Sequence, residues 1–133
     1  MKSISYLIAG LMIFSLSCAT VPVKSISESD LADLKGKWKG TRYGLGYTAP
    51  TEMEIFNTTI PISAAIPFYE TRTGTFTSTL MGELQDGKLF LFSWSRDEYW
   101  LKLSLRKGNG KMKLVGAYQW GKYGEGTLSL SKE

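Results

Sequence analysis

Apolar and polar side chains alternate along most of the chain after Gly36, a pattern typical of strands that bury one face. The clearest case is the segment 99–106, where Tyr and Leu at odd positions alternate with Trp, Lys, Ser and Arg at even positions. Turn residues interrupt the alternation about every 8–12 positions, and Asp86-Gly87 and Asn109-Gly110 are pairs typical of two-residue hairpins. The pattern predicts about 7–8 antiparallel strands joined by short turns.

Closing such a meander into a barrel removes the exposed edges of its first and last strands. We therefore predict an all-β fold, an antiparallel up-and-down meander closed into a small barrel over residues 36–133, as one domain. The first strand places Trp38, Gly40 and Arg42 on one face. A barrel of about eight strands is either filled by side chains or holds one small ligand. Residues 19–35 are predicted to form a tether and a short helix that Ser29 caps.

Two segments depart from the regular alternation. The predicted strand at 60–69 carries Pro61 and Pro67, and proline cannot donate a backbone hydrogen bond to a neighbouring strand. We expect this segment to lie at an edge, to contain a bulge or to cover the barrel. The loop 44–50 is the best candidate for a mobile segment that gates a ligand, although ordinary hairpin flexibility explains its composition equally well.

Residues 1–18 have the features of an export signal. Lys2 is followed by an apolar run of about a dozen residues, which is too short to span a bilayer. Ser17 followed by Cys18 resembles the lipobox of bacterial lipoproteins. That resemblance implies acylation of Cys18 and, because Ala19 follows it, an outer-membrane anchor facing the periplasm. The alternative is cleavage after Ala19 at a small-x-small site, which would give a secreted or periplasmic protein.

Composition narrows the chemistry of the domain. Removal of the signal, which contains Lys2, leaves 15 Lys and Arg against 12 Asp and Glu, a net charge of +3 that is too mild to imply nucleic acid. Cys18 is the only cysteine, and the chain has no histidine, so the commonest general base and zinc ligand is missing. Asp97 and Glu98 are adjacent in a turn, while Glu52 and Glu54 are interpreted as cross-strand partners of lysines. We expect no enzymatic activity, no cofactor and no metal site.

The densest basic stretch surrounds the turn at Gly108-Asn109-Gly110. Its members are Lys102, Arg106, Lys107, Lys111 and Lys113. The simpler interpretation is a solvated hairpin whose charges oppose aggregation. The alternative is contact with anionic lipid head groups, or with another polyanion near the anchor.

Residues 34–38, Leu-Lys-Gly-Lys-Trp, follow the candidate helix and open the first predicted strand. They resemble the Gly-x-Trp opening of lipocalins and related calycin barrels. The resemblance implies an up-and-down barrel that carries a small hydrophobic ligand in an apolar pocket. It also implies a tight turn at Gly36, a structural role for Trp38 at the closed end of the barrel, and Lys132 as the basic residue that packs on this Trp.

Two functions remain open from the sequence. In the first, a lipid-anchored envelope barrel binds a small apolar or amphiphilic molecule in its lumen, and small residues at inward positions such as Gly40 and Gly116 favour a cavity. The candidate ligand-binding residues are Trp38, Tyr43, Met53, Ile55, Leu103, Leu114, Tyr118 and Trp120. In the second, the barrel is solid, and an outer face with Trp94 and Trp100 or the hairpin 102–113 docks an envelope protein or a cell-wall partner.

Overall fold

The computed structural model describes residues 22–44, 46–70, 74–93, 95–121 and 124–133; the predicted signal with Cys18, the start of the tether, and Trp94 lie outside them. The helical elements are a 3₁₀ helix (Glu28–Asp30) and α1 (Leu31–Leu34). The strands are β1 (Val23–Lys24), β2 (Gly36–Gly44), β3 (Tyr47–Ile55), β4 (Ile62–Glu70), β5 (Gly74–Gln85), β6 (Lys88–Phe92), β7 (Tyr99–Gly108), β8 (Lys111–Trp120) and β9 (Glu125–Lys132).

Strands β2 to β9 form a closed antiparallel barrel in which each strand pairs with its neighbours in sequence. The barrel closes where β9 pairs with β2, as in Gly40 opposite Leu130. The short strand β1 pairs with the end of β7, placing Val23 opposite Arg106 and Lys24 opposite Leu105. The prediction of an all-β up-and-down barrel of about 7–8 strands is confirmed, with eight strands in the barrel, and this architecture is consistent with a lipocalin-like fold.

The hairpin predictions are also confirmed, because the turns have the backbone that their residues prefer. Asp86 and Gly87 have φ angles of 51° and 74°, and Asn109 and Gly110 have φ angles of 53° and 73°. Two consecutive positive φ angles are typical of the type I′ turn, whose twist matches that of the flanking strands. The turns therefore set the register of the β5–β6 and β7–β8 hairpins.

Alternate residues of the strands point inward and form one apolar core. Its members that are at most 2 % exposed include Trp38, Met53, Ile55, Ile62, Ile66, Leu80, Leu89, Leu91, Leu101, Leu103, Leu105, Leu114, Leu128 and Leu130. The 3₁₀ helix and α1 cover the end where β2 begins and β9 finishes, and Leu31 and Leu34 are buried there. We call this the closed end; the end with the β2–β3 and β8–β9 hairpins is the open end.

Trp38 ties α1 to the closed end of the barrel. It is fully buried, and its indole Nε1 donates a hydrogen bond of 2.9 Å to the backbone oxygen of Leu34. Lys132 lies directly opposite Trp38 in the β2–β9 register, and its ammonium group donates to the backbone oxygen of Asp33. The two residues singled out by the lipocalin resemblance therefore lie side by side at the closed end.

The helical segment starts at a different residue from the predicted one. Ser27, rather than Ser29, occupies the cap position, because the Asp30 carboxylate accepts bonds from the Ser27 backbone N–H at 2.9 Å and from its hydroxyl at 3.1 Å. Lys24 adds an ion pair at 2.6 Å to the same carboxylate. Spacing alone does not distinguish two nearby serines; the reciprocal partner three residues later does.

We expect the Asp30 contacts to weaken in acid. The Lys24 ammonium and then the Ser27 backbone N–H lower the pKa of Asp30 from 3.8 to about 2, so its carboxylate stabilises the fold above about pH 4 and loses this effect as the pH falls to about 2. Asp30→Asn should lower the free energy of unfolding by about 1 kcal/mol near neutral pH. Denaturant titrations of both proteins should show that difference vanishing near pH 2. A difference that persists there, or an equal effect of Asp97→Asn in the exposed β6–β7 turn, would contradict the assignment.

The barrel wall is incompletely paired between β3 and β4. Among the described residues, their register comprises Glu54 opposite Ala65 and Ile55 opposite Ala64, whereas β4 pairs with β5 over its whole length. Toward the open end, Pro50 in β3 and Pro67 in β4 lack the N–H that a ladder needs. The predicted edge character of this segment thus applies to one side of β4 only. We call this opening the β3–β4 seam.

Candidate functional site

The closed-end part of the lumen is filled by side chains. Five of the predicted ligand-binding residues are at most 2 % exposed and lie in the core: Trp38, Met53, Ile55, Leu103 and Leu114. A narrow crevice is lined by Leu31, Leu34, Ile55, Asn57, Ile62 and Leu89, and it has no room for a water molecule. The described closed end therefore offers packing rather than space.

Arg42 introduces a charge on the inward side of β2 near the open end. It follows Trp38 and Gly40 on the same face, and it lies opposite Ala49 on β3 and Leu128 on β9. Its side chain is half-buried, and its guanidinium carbon lies 5.8 Å from the ring centre of Tyr47 and 5.9 Å from that of Tyr118. These distances are within the range of cation–π attraction.

Tyr47 and Tyr118 meet across the open end. Tyr118 is buried on β8, Tyr47 is 42 % exposed at the start of β3, and their hydroxyl oxygens form a hydrogen bond of 2.9 Å. Burial, followed by this hydrogen bond, raises the pKa of Tyr118 above that of an ordinary phenol. Tyr118 is therefore a neutral donor and acceptor near neutral pH, and Arg42 beside it is the charged member of the cluster.

Thr51 places a second polar group on the same inner wall. It is 2 % exposed on β3, and its hydroxyl has no hydrogen-bond partner among the described residues. In the β2–β3 register Thr51 lies opposite Gly40, one inward position from the Arg42–Ala49 pair. A buried hydroxyl usually has a protein or water partner, so Thr51 adds hydrogen-bonding capacity to this wall.

The remaining predicted site residues lie at the rim. Tyr43 is 45 % exposed and points outward from β2, so it does not face Arg42. Trp120 is half-buried at the end of β8, where its ring meets Tyr99 edge-on with the centroids 5.2 Å apart. Of the eight candidates, Tyr118 is the one that the structure brings into the Arg42 cluster.

Sequence reasoning did not single out Arg42 or Thr51 as site residues, and it placed Tyr47 in the candidate gating loop 44–50. That loop prediction was wrong for residues 47–50, which belong to strand β3. The available signal was a charged residue in the inward phase of a strand that begins with Trp38 and Gly40. That signal gains meaning only when the barrel closes, because Tyr47 and Tyr118 are 71 positions apart in sequence. A register shift of one residue would have pointed Arg42 to solvent.

The arrangement is suited to binding an anion or a polar head group. Arg42 supplies fixed N–H donors, and Tyr118 and Thr51 supply hydroxyls that can donate or accept. In the part of the chain that the structure describes, no group of three or more His, Cys, Asp or Glu side chains could hold a metal ion. The open end is therefore a short polar zone at the top of an apolar core.

Comparison of the chain with models of protein families, with curated proteins and with solved structures gives no match in any of the three. Among the described residues, no helix is long and apolar enough to cross a membrane. The interpretation of the site accordingly rests on its own geometry and chemistry.

Proposed function

We propose that this protein is a lipid-anchored envelope barrel that binds a small amphiphilic molecule with an anionic head group at its open end. The observation that supports this proposal is the contrast between the two parts of the lumen. The closed end is filled by fully buried apolar side chains, whereas the open end contains Arg42, Tyr118 and Thr51, whose hydroxyl has no partner among the described residues. A barrel that needed only a stable core would gain nothing from a charge on its inner face.

The chemistry of the open end supports a carboxylate or phosphate head group. The guanidinium fork of Arg42 matches the paired oxygens of such groups, and hydrogen bonds to charged groups are about twice as strong as neutral ones. Thr51 lies one inward position further along the same wall. It would donate its hydroxyl to a second oxygen or to a water molecule that accompanies the ligand.

The β3–β4 seam supports an apolar portion attached to that head group. The seam begins beyond Ala65 and lies toward the open end, on the part of β3 that carries Thr51. The inward residues beside it are Met53 and Ile66, which are apolar and buried. A hydrocarbon chain would enter between the two strands without breaking a complete hydrogen-bond ladder, because that ladder is not formed there.

The anchor in this proposal is Cys18, acylated after removal of residues 1–17, with the barrel on the periplasmic side of the outer membrane. Its support is the lipobox-like end of the export signal and the presence of a single cysteine at that position. Several acyl chains hold a protein on a membrane far more firmly than one. The absence of enzymatic activity remains part of the proposal.

Arg42→Gln tests the head-group site. We expect it to weaken binding of oleate by about tenfold to a hundredfold, because a charged hydrogen bond contributes about 1.5–3 kcal/mol. Monoolein, which shares the hydrocarbon chain but has no charge, should bind both proteins equally. Isothermal titration calorimetry would measure both affinities. The lipidated chain is kept in a detergent whose head group does not compete with the ligand for the site.

Arg96→Gln is the matched control, because Arg96 is an exposed arginine on the outer surface that pairs with Glu83. It should leave the oleate affinity unchanged. The proposal would be overturned if both substitutions lowered the oleate affinity equally. It would also be overturned if the protein without substitutions bound no oleate at any accessible concentration. Melting temperatures of both variants would show whether a loss of binding reflects a loss of fold.

A further inference from the structure

Every charged residue on the outer side of β6, β7 and β8 is a lysine or an arginine. Their outward positions carry Lys88, Lys102, Arg106, Lys111 and Lys113, and the three strands contain no Asp or Glu. Lys107 lies in the inward phase of β7, and its ammonium group pairs with Asp33 of α1 at 3.1 Å. In contrast, the outer side of β2 and β3 mixes both signs, and Lys39 pairs with Glu52 at 3.7 Å and with Glu133 at 3.0 Å. We call the outer side of β6, β7 and β8 the basic face.

Aromatic rings lie among these cations. The register places Phe92 opposite Trp100 and Phe90 opposite Lys102 in the outward phase of β6 and β7. Phe92 and Trp100 are half-buried there, whereas Phe90 is only 6 % exposed. The Lys102 ammonium lies 5.4 Å from the ring centre of Phe90 and 5.3 Å from that of Trp100. Tryptophan together with lysine is the combination enriched where proteins meet the head-group region of a bilayer.

The tether reaches the barrel along this same face. Strand β1 pairs with the end of β7, so Val23 lies beside Arg106, and Arg106 lies opposite Lys113 on β8. Val23 is 58 % exposed. Cys18 precedes it by five positions, and five extended residues span at most roughly 17 Å. An acylated Cys18 would therefore hold the end of β7 close to the head groups.

We propose that the basic face lies against anionic phospholipid head groups of the membrane that carries the anchor. The inference rests on the acylation of Cys18 for the nearness of the bilayer, and on charge complementarity for the choice of face. From Arg106 to Trp100, β7 runs about 20 Å along the membrane plane. The barrel then lies on its side, with the mixed-charge β2–β3 side facing away from the lipid.

Quenching of tryptophan fluorescence by brominated lipid tests this orientation. The lipidated full chain is reconstituted into vesicles of phosphatidylcholine, alone or mixed about two to one with phosphatidylglycerol. The bromines lie near the head of the acyl chains. We expect quenching in the anionic vesicles to exceed that in the neutral ones at least about twofold, and to fall as salt screens the charges. Trp100→Phe should abolish the extra quenching.

A pair of double variants with the same change in net charge tests the choice of face. Lys102→Gln with Lys113→Gln should reduce the extra quenching at least about twofold. Lys37→Gln with Lys39→Gln, on the opposite outer side, should leave it unchanged. The orientation would be overturned by any of three results. These are equal effects of the two double variants, extra quenching that survives Trp100→Phe, and quenching in neutral vesicles equal to that in anionic ones. Any of these would also turn the search toward a protein or wall partner for the basic face.

The acylation is tested separately by the mass of the N-terminal peptide and by flotation of the protein with vesicles. A mature chain without acyl mass would overturn the anchor. In that case, the unlipidated chain is added to the same vesicles. Binding to anionic vesicles that depends on Lys102 and Lys113 would then support the basic face without the anchor, and a failure to bind would overturn both.

Discussion

Trp38→Ala is expected to destabilise the barrel by about 3–5 kcal/mol, the largest effect of any substitution considered for this protein. The ring of Trp38 has no exposed surface and lies at the centre of the closed end, where α1 and the strands around it meet. Its removal leaves a cavity that the surrounding strands cannot close, because the barrel ladders fix their spacing. It also removes the hydrogen bond to the backbone oxygen of Leu34.

Two further variants separate the loss of stability caused by the cavity from the loss caused by the missing hydrogen bond. Trp38→Phe retains much of the ring but loses the N–H, so it should cost clearly less than the alanine variant. Trp100→Ala, at a half-buried position on the outer side of β7, should cost less than either. Chemical denaturation monitored by circular dichroism would rank the three. A Trp38→Ala protein with nearly unchanged stability would refute both the closed-end packing and the lipocalin resemblance that first drew attention to this residue.

Gly116→Ala is expected to destabilise the protein by about 3 kcal/mol, the upper part of the range for overpacking. A Cβ atom at this position would lie 1.8 Å from the backbone oxygen of Lys102 and 3.0 Å from the Cα of Leu103. These are atoms of the neighbouring strand β7, so relief requires β7 and β8 to separate. A flexible side chain that could swing aside is not involved.

Gly110→Ala is the control for this prediction. Gly110 has a φ of 73° in the β7–β8 turn, and a Cβ there would meet nothing within 4 Å. It should therefore cost only the backbone strain of a left-handed residue, about 1 kcal/mol. Urea denaturation of the two variants would show the difference. Equal losses of stability would mean that the close approach of β7 and β8 at Gly116 does not exist.

The glycines also correct the reasoning that favoured a cavity. Gly40 and Gly116 do lie at inward positions, as the alternation predicts. At Gly40 a Cβ atom would lie 1.8 Å from the backbone oxygen of Ser129, which resembles the situation at Gly116. Their small size therefore permits strands to approach each other closely, and it does not by itself leave room for a ligand. Counting small residues cannot distinguish these two uses, because both require the absence of a Cβ.

The cross-strand interpretation of Glu52 was correct for a local reason. Lys39 and Glu52 belong to the same hairpin, lie directly opposite each other and form an ion pair. The register of a hairpin follows from its turn, so pairs within it can be predicted from spacing. The same reasoning yields the eight strands, their alternation and the Asp86-Gly87 and Asn109-Gly110 turns.

The sequence by itself determined most of the elements of this protein: the strands apart from residues 47–50, which were predicted as loop, the apolar faces of those strands and the turns of the two tight hairpins. These properties depend on residues close together in the chain, and the alternation of side chains expresses them directly. Only the tertiary structure decided that Arg42 lies near the rings of Tyr47 and Tyr118, that the closed end is filled, and that the tether meets the basic face. Each of these depends on contacts between distant strands, whose register is set by closure of the whole barrel and not by any local pattern.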